Sequence, residues 1–397
     1  MCLAWRIFEK NLVAMFNEFS AKDATDWLEK IAQELQEKSV ESLVWENQNG
    51  FLLQPFYTQK DTESLKTLPQ RVGEPPYLRT NSHLSNTWQV ACQVPERTAA
   101  AANKTAIDAL ANGASALMFE LVPENQRSFN GLFKGILPQH IGFFLATSDV
   151  LSTINFLEKF LKKEKIDPTT VRGSLMFNPL QNKKSYNNTN LALEDAGVSL
   201  ASLKNSLPNC KLFYINSVAT EQTAAQELAE LLHTANQYLH YLTETDGWEI
   251  DEIAPHFTFE MRLSSDFYEQ TAKLRAFRLL WANLIDAYKP QDLCSKACFV
   301  LARTSVQTTT ETAVETNILR NTTQGISAVL GGANALLVQA HSPENRRFSG
   351  RIARNIQLIL QHESYLDQVA DPTAGSYFLE IFTQKMADAA WKTFQKM

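Results

Sequence analysis

The chain lacks the features that would place it in several large functional classes. No run of about 18 apolar residues occurs, so no segment reads as a membrane span. Basic residues are not gathered into a stripe: Lys162-Lys163 and Lys183-Lys184 are short pairs among neutral or acidic neighbours, and the formal net charge is −6. That balance argues against a nucleic-acid partner. Cysteine is sparse. Cys2, Cys92, Cys210, Cys294 and Cys298 are odd in number, scattered, and form no C-x-x-C pair, which points to free thiols in a reducing, cytoplasmic setting and to no metal site. The seven histidines form neither H-x-x-x-H nor H-E-x-x-H, and G-x-S-x-G is absent, so metal-dependent and serine hydrolysis lack support. The opening MCLAWRIFEKNLVAM carries no small-residue cleavage site, so a secretory signal is not expected. Met15 looks like the more natural start, and residues 1–14 read as an upstream extension.

What is present is the composition of a globular protein, 44% hydrophobic and 20% charged over 397 residues. Residues 21–36 have helical spacing in Ala24, Trp27, Leu28, Ile31 and Leu35. Two apolar runs follow, at 42–45 and 51–57, around a turn that ends in Asn49-Gly50, the strongest short hairpin signal. Gly73-Glu74-Pro75-Pro76 then breaks regular structure. From Trp88 onward, strand-like runs at 88–94, 115–121, 140–146, 171–177, 212–218, 256–263, 298–303 and 334–340 alternate with helical stretches. In the stretch at 267–288, Phe267, Leu274, Phe277, Trp281, Leu284 and Tyr288 fall close to one stripe, with Lys273 and Arg278 away from its centre.

Eight strands with crossover helices imply parallel pairing. Eight such units in 250–300 residues suit a closed barrel better than an open sheet. A doubly wound dinucleotide fold would require G-x-G-x-x-G after a strand, whereas the first Gly-Gly pair, Gly331-Gly332, precedes one. The expected fold is an α/β (β/α)₈ TIM barrel spanning 81–397, preceded by a helix-plus-hairpin arm and connector at 1–80.

Three segments carry a resemblance: PQRVGEPPYLRT (69–80), KLRAFRLLWANLIDAY (273–288) and RIARNIQLILQHESYLDQVADPTAGSYFLE (351–380). They resemble the substrate-binding barrel of the methylmalonyl-CoA mutase family, and the likeness runs from about residue 24 to the C-terminus, weakest between Thr98 and Cys210. SLVWE (42–46), the hairpin and Tyr57-Thr58 are similar to the small subunits of the heterodimeric members. The resemblance implies adenosylcobalamin chemistry in the holoenzyme, with methylmalonyl-CoA and succinyl-CoA interconverted through radicals. D-x-H-x-x-G, the family's cobalt-ligand motif, does not occur in the sequence, so the cofactor is expected on a large catalytic partner subunit. The chain then reads either as a fragment or as a barrel-only subunit.

The residues that the family uses on the substrate are replaced here. The tyrosine of W-x-x-x-Q-Y falls on Gln93 or Val94 in WQVACQV. The histidine of S-G-Y-H falls on Val218, whose side chain neither donates nor accepts a hydrogen bond. R-T-H-S-Q-T reads RTSVQT, with Ser305 for histidine and Gln307 retained, and G-H-T-Q reads GGAN, with Asn334 for glutamine. Gln307 and Asn334 are therefore expected as vestigial substrate-binding residues, with no catalytic residue and no metal ligand. Bulky residues on strand two (Leu117, Met118, Phe119), strand three (Phe143, Phe144) and strand four (Leu175, Met176, Phe177) crowd an axis that in catalytic barrels admits the pantetheine arm of coenzyme A. The resemblance and the losses together favour a non-catalytic small subunit, with the N-terminal arm as its partner-binding element. Two alternatives stay open: an acyl-CoA-binding barrel active with a separate cobalamin-binding chain, and a stand-alone CoA-ester-binding or scaffolding protein.

Other polar groups have plain explanations. Glu249, Asp251 and Glu252 read as a polar loop, and the threonine-rich run 304–316 as a strand-end loop leading to a helix cap. Arg346, Arg347, Arg351 and Arg354 form a local basic patch. A phosphate of coenzyme A could sit there, but pairing with Glu344 or Glu363, or solvation, is the simpler expectation.

Overall fold

The computed structural model describes residues 20, 22–35, 39–80, 85–181, 188–217, 222–342 and 344–397. A short antiparallel hairpin, β1 (Trp45–Glu46) and β2 (Leu52–Leu53), comes first. Eight strands follow: β3 (Gln89–Val94), β4 (Ala116–Phe119), β5 (Gly142–Ala146), β6 (Arg172–Phe177), β7 (Lys211–Asn216), β8 (Phe257–Leu263), β9 (Phe299–Thr304) and β10 (Ala335–Leu337). Each pairs in parallel with the next, and β10 pairs back onto β3, so the sheet closes as the expected barrel. The helices are α1 (Ala24–Leu35), α2 (Gln59–Thr62), α3 (Ala99–Ala111), α4 (Gln126–Leu132), α5 (Val150–Glu164), α6 (Thr189–Ser206), α7 (Ala224–Glu244), α8 (Ile250–Ile253), α9 (Phe267–Ala287), α10 (Thr316–Leu330), α11 (Arg346–His362) and α12 (Tyr377–Phe394). Side-chain caps fix where many of them start: Asp149, Thr223 and Asp266 accept from amides in the first turns of α5, α7 and α9.

The alternation along each strand separates two cores. Outward-facing residues pack on the helices, as in the aromatic stack of Phe213, Tyr238, Phe257, Phe259 and Trp281. Inward-facing residues form a second, separate cluster from the strands alone. One turn needs glycine: Gly332, at φ +77°, brings the chain out of α10 and into β10 in a backbone conformation that other residues adopt only with strain.

Helix α9 departs from the one-stripe expectation. Sixteen of its residues are buried, including Lys273, Arg275 and Arg278. The reason is a layer that periodicity does not reveal: α12 packs across α9 and α7 outside the barrel, so α9 is enclosed on both faces. Its cations are accommodated by partners. Lys273 Nζ meets Glu227 at 2.8 Å and the Arg262 carbonyl at 2.6 Å.

The most constrained of these cations, Arg275, joins a four-charge cluster. Its Nη1 donates to both oxygens of Asp371 at 2.8 Å, and its Nη2 lies 3.1 Å from Glu380. Arg79 completes the cluster, with Nη1 at 3.2 Å from Asp371 and 3.1 Å from Glu380, while its other nitrogens donate to the Gln70 and Leu68 carbonyls. The connector, α9 and the approach to α12 are thereby pinned together.

The hairpin is docked onto the barrel through its turn. Asn47 and Asn49 donate to Glu269 at the start of α9, at 3.1 and 2.8 Å, and Asn49 accepts from the Ala225 amide at the start of α7. Phe51 and Tyr57 lean on Phe382 and Phe378 of α12. Trp45, Leu52, Tyr268 and Tyr377 remain exposed around this docked arm.

Candidate functional site

In barrels of this kind, chemistry is carried at the C-terminal ends of the strands. Here the axis beneath that end is filled. Ala91, Ala116, Met118, Phe144, Tyr214, Leu301, Ala335 and Leu337 make one buried interior cluster, with Met176 and Phe299 packed against it. Small residues on β3, β4 and β10 leave room for large ones from β5, β7 and β9. Phe144 meets Tyr214 at 6.5 Å and Phe299 at 6.2 Å between ring centroids. Deeper polar groups are satisfied across the barrel, as Ser174 and Thr258 are at 2.9 Å.

A polar layer caps this plug, and its members are bonded to one another. Tyr214 Oη donates to Glu260, and burial together with that carboxylate pushes the phenol well above its ordinary pKa, so it stays a neutral donor. Arg303 lies 3.6 Å from Glu260, and Arg262 lies 3.9 Å from it. With its amide oxygen turned toward Arg303, Gln339 accepts from that guanidinium at 2.9 Å. Gln93 donates to Glu120. The mouth is therefore polar, but its donors and acceptors are committed internally.

The two residues weighed for the tyrosine position face opposite ways. Gln93 shares its strand face with Ala91 of the interior cluster, whereas Val94 is buried against the helices. Val218 lies outside the described residues. Gln307 sits exposed in the turn after β9, at the C-terminal end. Asn334 precedes β10, at the opposite end of the barrel. Its Oδ1 accepts from the Val300 amide at 2.9 Å, and its backbone pairs with Gln89 and Val300. The two expected vestigial residues are thus not brought together, and Asn334 is occupied in closing the sheet. Ser305 caps the turn that carries Gln307 by accepting from its amide.

The acidic group at 249–252 is structural as expected. Asp251 accepts from the Gln291 and Asp292 amides, and Glu252 pairs with Lys204 at 2.5 Å. In the basic patch, Arg346, Arg347 and Arg351 are exposed, as solvation predicts, and only Arg354 is buried. Neither Glu344 nor Glu363 pairs with an arginine among the described residues. Instead, Arg346, Arg347, Arg351 and Arg354 on α11 face Arg97 and Lys104 across a cleft of about 1250 Å³ that opens over the ends of β3 and β10. Sequence reasoning saw the α11 arginines but not their convergence with Arg97 and Lys104, which lie some 250 residues away.

Comparison with known proteins agrees with the barrel and its segments. The methylmalonyl-CoA mutase family model matches residues 124–397. The chain belongs to that family. It is 30% identical over 393 residues to the methylmalonyl-CoA mutase small subunit of Porphyromonas gingivalis, covering 96% of this chain and 63% of that protein. The methylmalonyl-CoA mutase of Rhizobium meliloti is 26% identical over 421 residues, covering 95% and 58%. The methylmalonyl-CoA mutase large subunit of Streptomyces virginiae is 25% identical over 398 residues, covering 91% and 54%. The chain thus spans roughly three fifths of the length of these relatives. The three segments that carry the family likeness meet at the buried Arg79–Asp371–Arg275–Glu380 cluster. They specify scaffold, and the mouth is built by other residues.

Proposed function

We propose that the chain is the small, non-catalytic subunit of a heterodimeric, adenosylcobalamin-dependent methylmalonyl-CoA mutase, supporting a large subunit that interconverts methylmalonyl-CoA and succinyl-CoA. The observation that carries this reading is the filled axis. By the family resemblance a catalytic barrel admits the pantetheine arm along its axis, and here Met118, Phe144, Tyr214, Leu301 and Leu337 pack into that axis. Admitting a thioester would require evicting close-packed side chains and breaking the Tyr214–Glu260–Arg303 network, leaving buried groups unpaired.

The residues at the mouth do not fit the corrin. Of the described histidines, His341 is the one that follows a barrel strand, and it is buried, edge-on to Phe348 at 5.9 Å. The sequence also has no D-x-H-x-x-G, the motif that carries the cobalt ligand by the family resemblance. The cofactor is accordingly assigned to the partner chain. Support for the pairing comes from the docked arm and the helix starts beside it, where exposed Trp45 and Leu52 of the hairpin with Tyr268 of α9 and Tyr377 of α12 make an aromatic-rich surface of the composition found at interface cores. No helix among the described residues is long and apolar enough to cross a membrane. The free thiols of Cys92, Cys210, Cys294 and Cys298 are what a reducing, cytoplasmic compartment would maintain.

Co-expression of the full-length protein with the large subunit from the same organism tests this. The expected result is a stable one-to-one complex carrying mutase activity, with no heat of binding when methylmalonyl-CoA is titrated into the isolated chain. Failure to associate would refute the small-subunit reading. Tight binding of the ester to the isolated chain would favour an acyl-CoA-binding barrel instead.

A further inference from the structure

The cleft between α3 and α11 has a charge imbalance that neither the scaffold nor the filled axis explains. Six cations line it: Arg97, Lys104, Arg346, Arg347, Arg351 and Arg354. Three carboxylates also line it, namely Glu96, Asp108 and Glu120, but none lies within ion-pairing distance of any of the six among the described residues. Glu96 is taken by the Thr105 hydroxyl at 2.7 Å and Glu120 by Gln93. Clustered arginines that find no carboxylate raise one another's electrostatic energy, and an anion between them relieves it.

Two buried groups make this more than a solvated basic surface. Arg354 is only 6% exposed, lies beside the Cys92 thiol, and has no hydrogen-bond partner for its Nε. His341 is 7% exposed with an unpartnered Nδ1. Both line the cleft. A buried guanidinium without an oxygen partner is costly and is expected where a ligand supplies that oxygen. The positive end of the 17-residue helix α11 opens at the same place, with Asn345, Arg346 and Arg347 on the cleft wall.

We infer that this cleft binds an organic di- or triphosphate of nucleotide size. Guanidinium forks match phosphate oxygens in pairs. Six cations against three carboxylates leave an excess that a diphosphate or triphosphate balances and a single phosphate does not. A volume of about 1250 Å³ exceeds what the phosphates alone would fill, and the half-exposed ring of Phe348, stacked under Arg351 at 5.3 Å, offers an apolar wall for the organic part. This reading does not rest on the pairing with a large subunit. The cations lie to one side of the barrel mouth, and the cleft floor runs over Gln93, Glu120 and Gln339 to Ala91 at the edge of the filled axis.

Calorimetric titration of the full-length protein with ADP, ATP, inorganic pyrophosphate and adenosine tests it. Saturable binding of the nucleotides is expected, weakening as salt rises. Nucleotides binding better than pyrophosphate are the expected result of the organic wall, whereas pyrophosphate binding equally well would place recognition in the phosphates alone and overturn the organic part of the inference. Arg347→Gln and Arg351→Gln, both at exposed positions and so compatible with folding, are each expected to weaken binding on the order of tenfold with unchanged thermal stability. Lys162→Gln, on α5 away from the cleft, is expected to leave it unchanged. Absence of saturable binding by ADP, ATP and pyrophosphate would overturn the inference, as would adenosine binding as tightly as ADP, or full affinity in both arginine variants. Coenzyme A binding while all three polyphosphates fail would place recognition in the pantetheine arm and overturn it equally.

Discussion

Replacing Asp371 with asparagine would test whether the family segments act through their shared charge cluster. The Asp371 carboxylate is 1% exposed and accepts from Arg275, Arg79, the Thr373 hydroxyl and the Thr373 amide. The amide keeps the shape but removes the charge, so two buried guanidinium groups must share Glu380. Breaking a buried pair in this way costs about 3–5 kcal/mol, because the loss is the uncompensated charge and not only the contact. For a chain of this size the unfolding entropy is about 0.8 kcal/mol/K, so the midpoint should fall by roughly 4–6 °C in differential scanning calorimetry. Adding Arg79→Met removes the surplus charge and restores a one-to-one Arg275–Glu380 pair. The double variant should therefore lose about 0.5–3 kcal/mol less than the two single losses together, and not all of Asp371's effect, since Arg79 also holds the Leu68 and Gln70 carbonyls. A fall of under about 1 °C for Asp371→Asn, or strict additivity in the double variant, would sink the argument that this node organises the scaffold.

Other consequences are open to measurement. His256 is buried with Nδ1 2.7 Å from the Cys210 carbonyl, and desolvation drops its pKa to about 4. The unfolded chain therefore binds the proton first. Stability from the neutral imidazole is fully present above about pH 6.5 and is lost as pH falls toward 4, by about 3 kcal/mol. His256→Gln should flatten the thermal midpoint across that window relative to the parent, and an unchanged slope would contradict it. Among the described cysteines, Cys294 is exposed, whereas burial raises Cys92 and Cys210 to about 11. Iodoacetamide at pH 8 should label Cys294 first, as peptide mass mapping would show, and Cys92 reacting equally fast would refute its assigned environment. Phe144→Ala should cost about 3–5 kcal/mol in urea unfolding, because the plug around it cannot collapse. A loss below about 1 kcal/mol would mean that the axis is looser than described. Glu269→Ala removes the carboxylate that holds Asn47 and Asn49, so limited proteolysis should cut the hairpin sooner while the barrel stays intact.

Much of the fold was legible because barrels write a strong period. Each of the eight strand-like runs became a strand, and Asn49-Gly50 closed the expected hairpin with Gly50 at φ +78°. Less visible was anything that depends on tertiary partners. Lys273 and Arg278 look peripheral on a helical projection, yet both are buried, Lys273 against Glu227 and the Arg262 carbonyl and Arg278 beside Gly332 and Asn334. At the mouth the resemblance implies a tyrosine and a histidine where Gln93 and Ser305 stand, and both residues lie at strand ends. Asn334 shows the limit of that reading. Its place in a motif pointed toward the pocket, whereas the parallel register puts it at the far end of the barrel, bonded to Val300. The basic cleft escaped for a different reason. Charge runs are read locally, and a site that joins residues 97–104 to 346–354 has no local signature.

The separation between scaffold and mouth explains how a barrel can keep its family while its interior changes. The segments that carry the family likeness converge on Arg79, Arg275, Asp371 and Glu380, all buried outside the sheet, where any single loss strands a charge. Interior residues face a milder constraint. A mouth relieved of a substrate gains stability when apolar side chains fill the axis and the leftover polar groups bond to each other, as Tyr214, Glu260, Arg303 and Gln339 do. Such a network is self-consistent only as a set. Restoring one polar residue toward a catalytic pattern would leave its former partners unsatisfied, so single reversions at the mouth should destabilise without recovering ester binding. The cleft beside it follows the opposite logic, since its cations find no carboxylate within the chain and are left to water, counterions or a ligand.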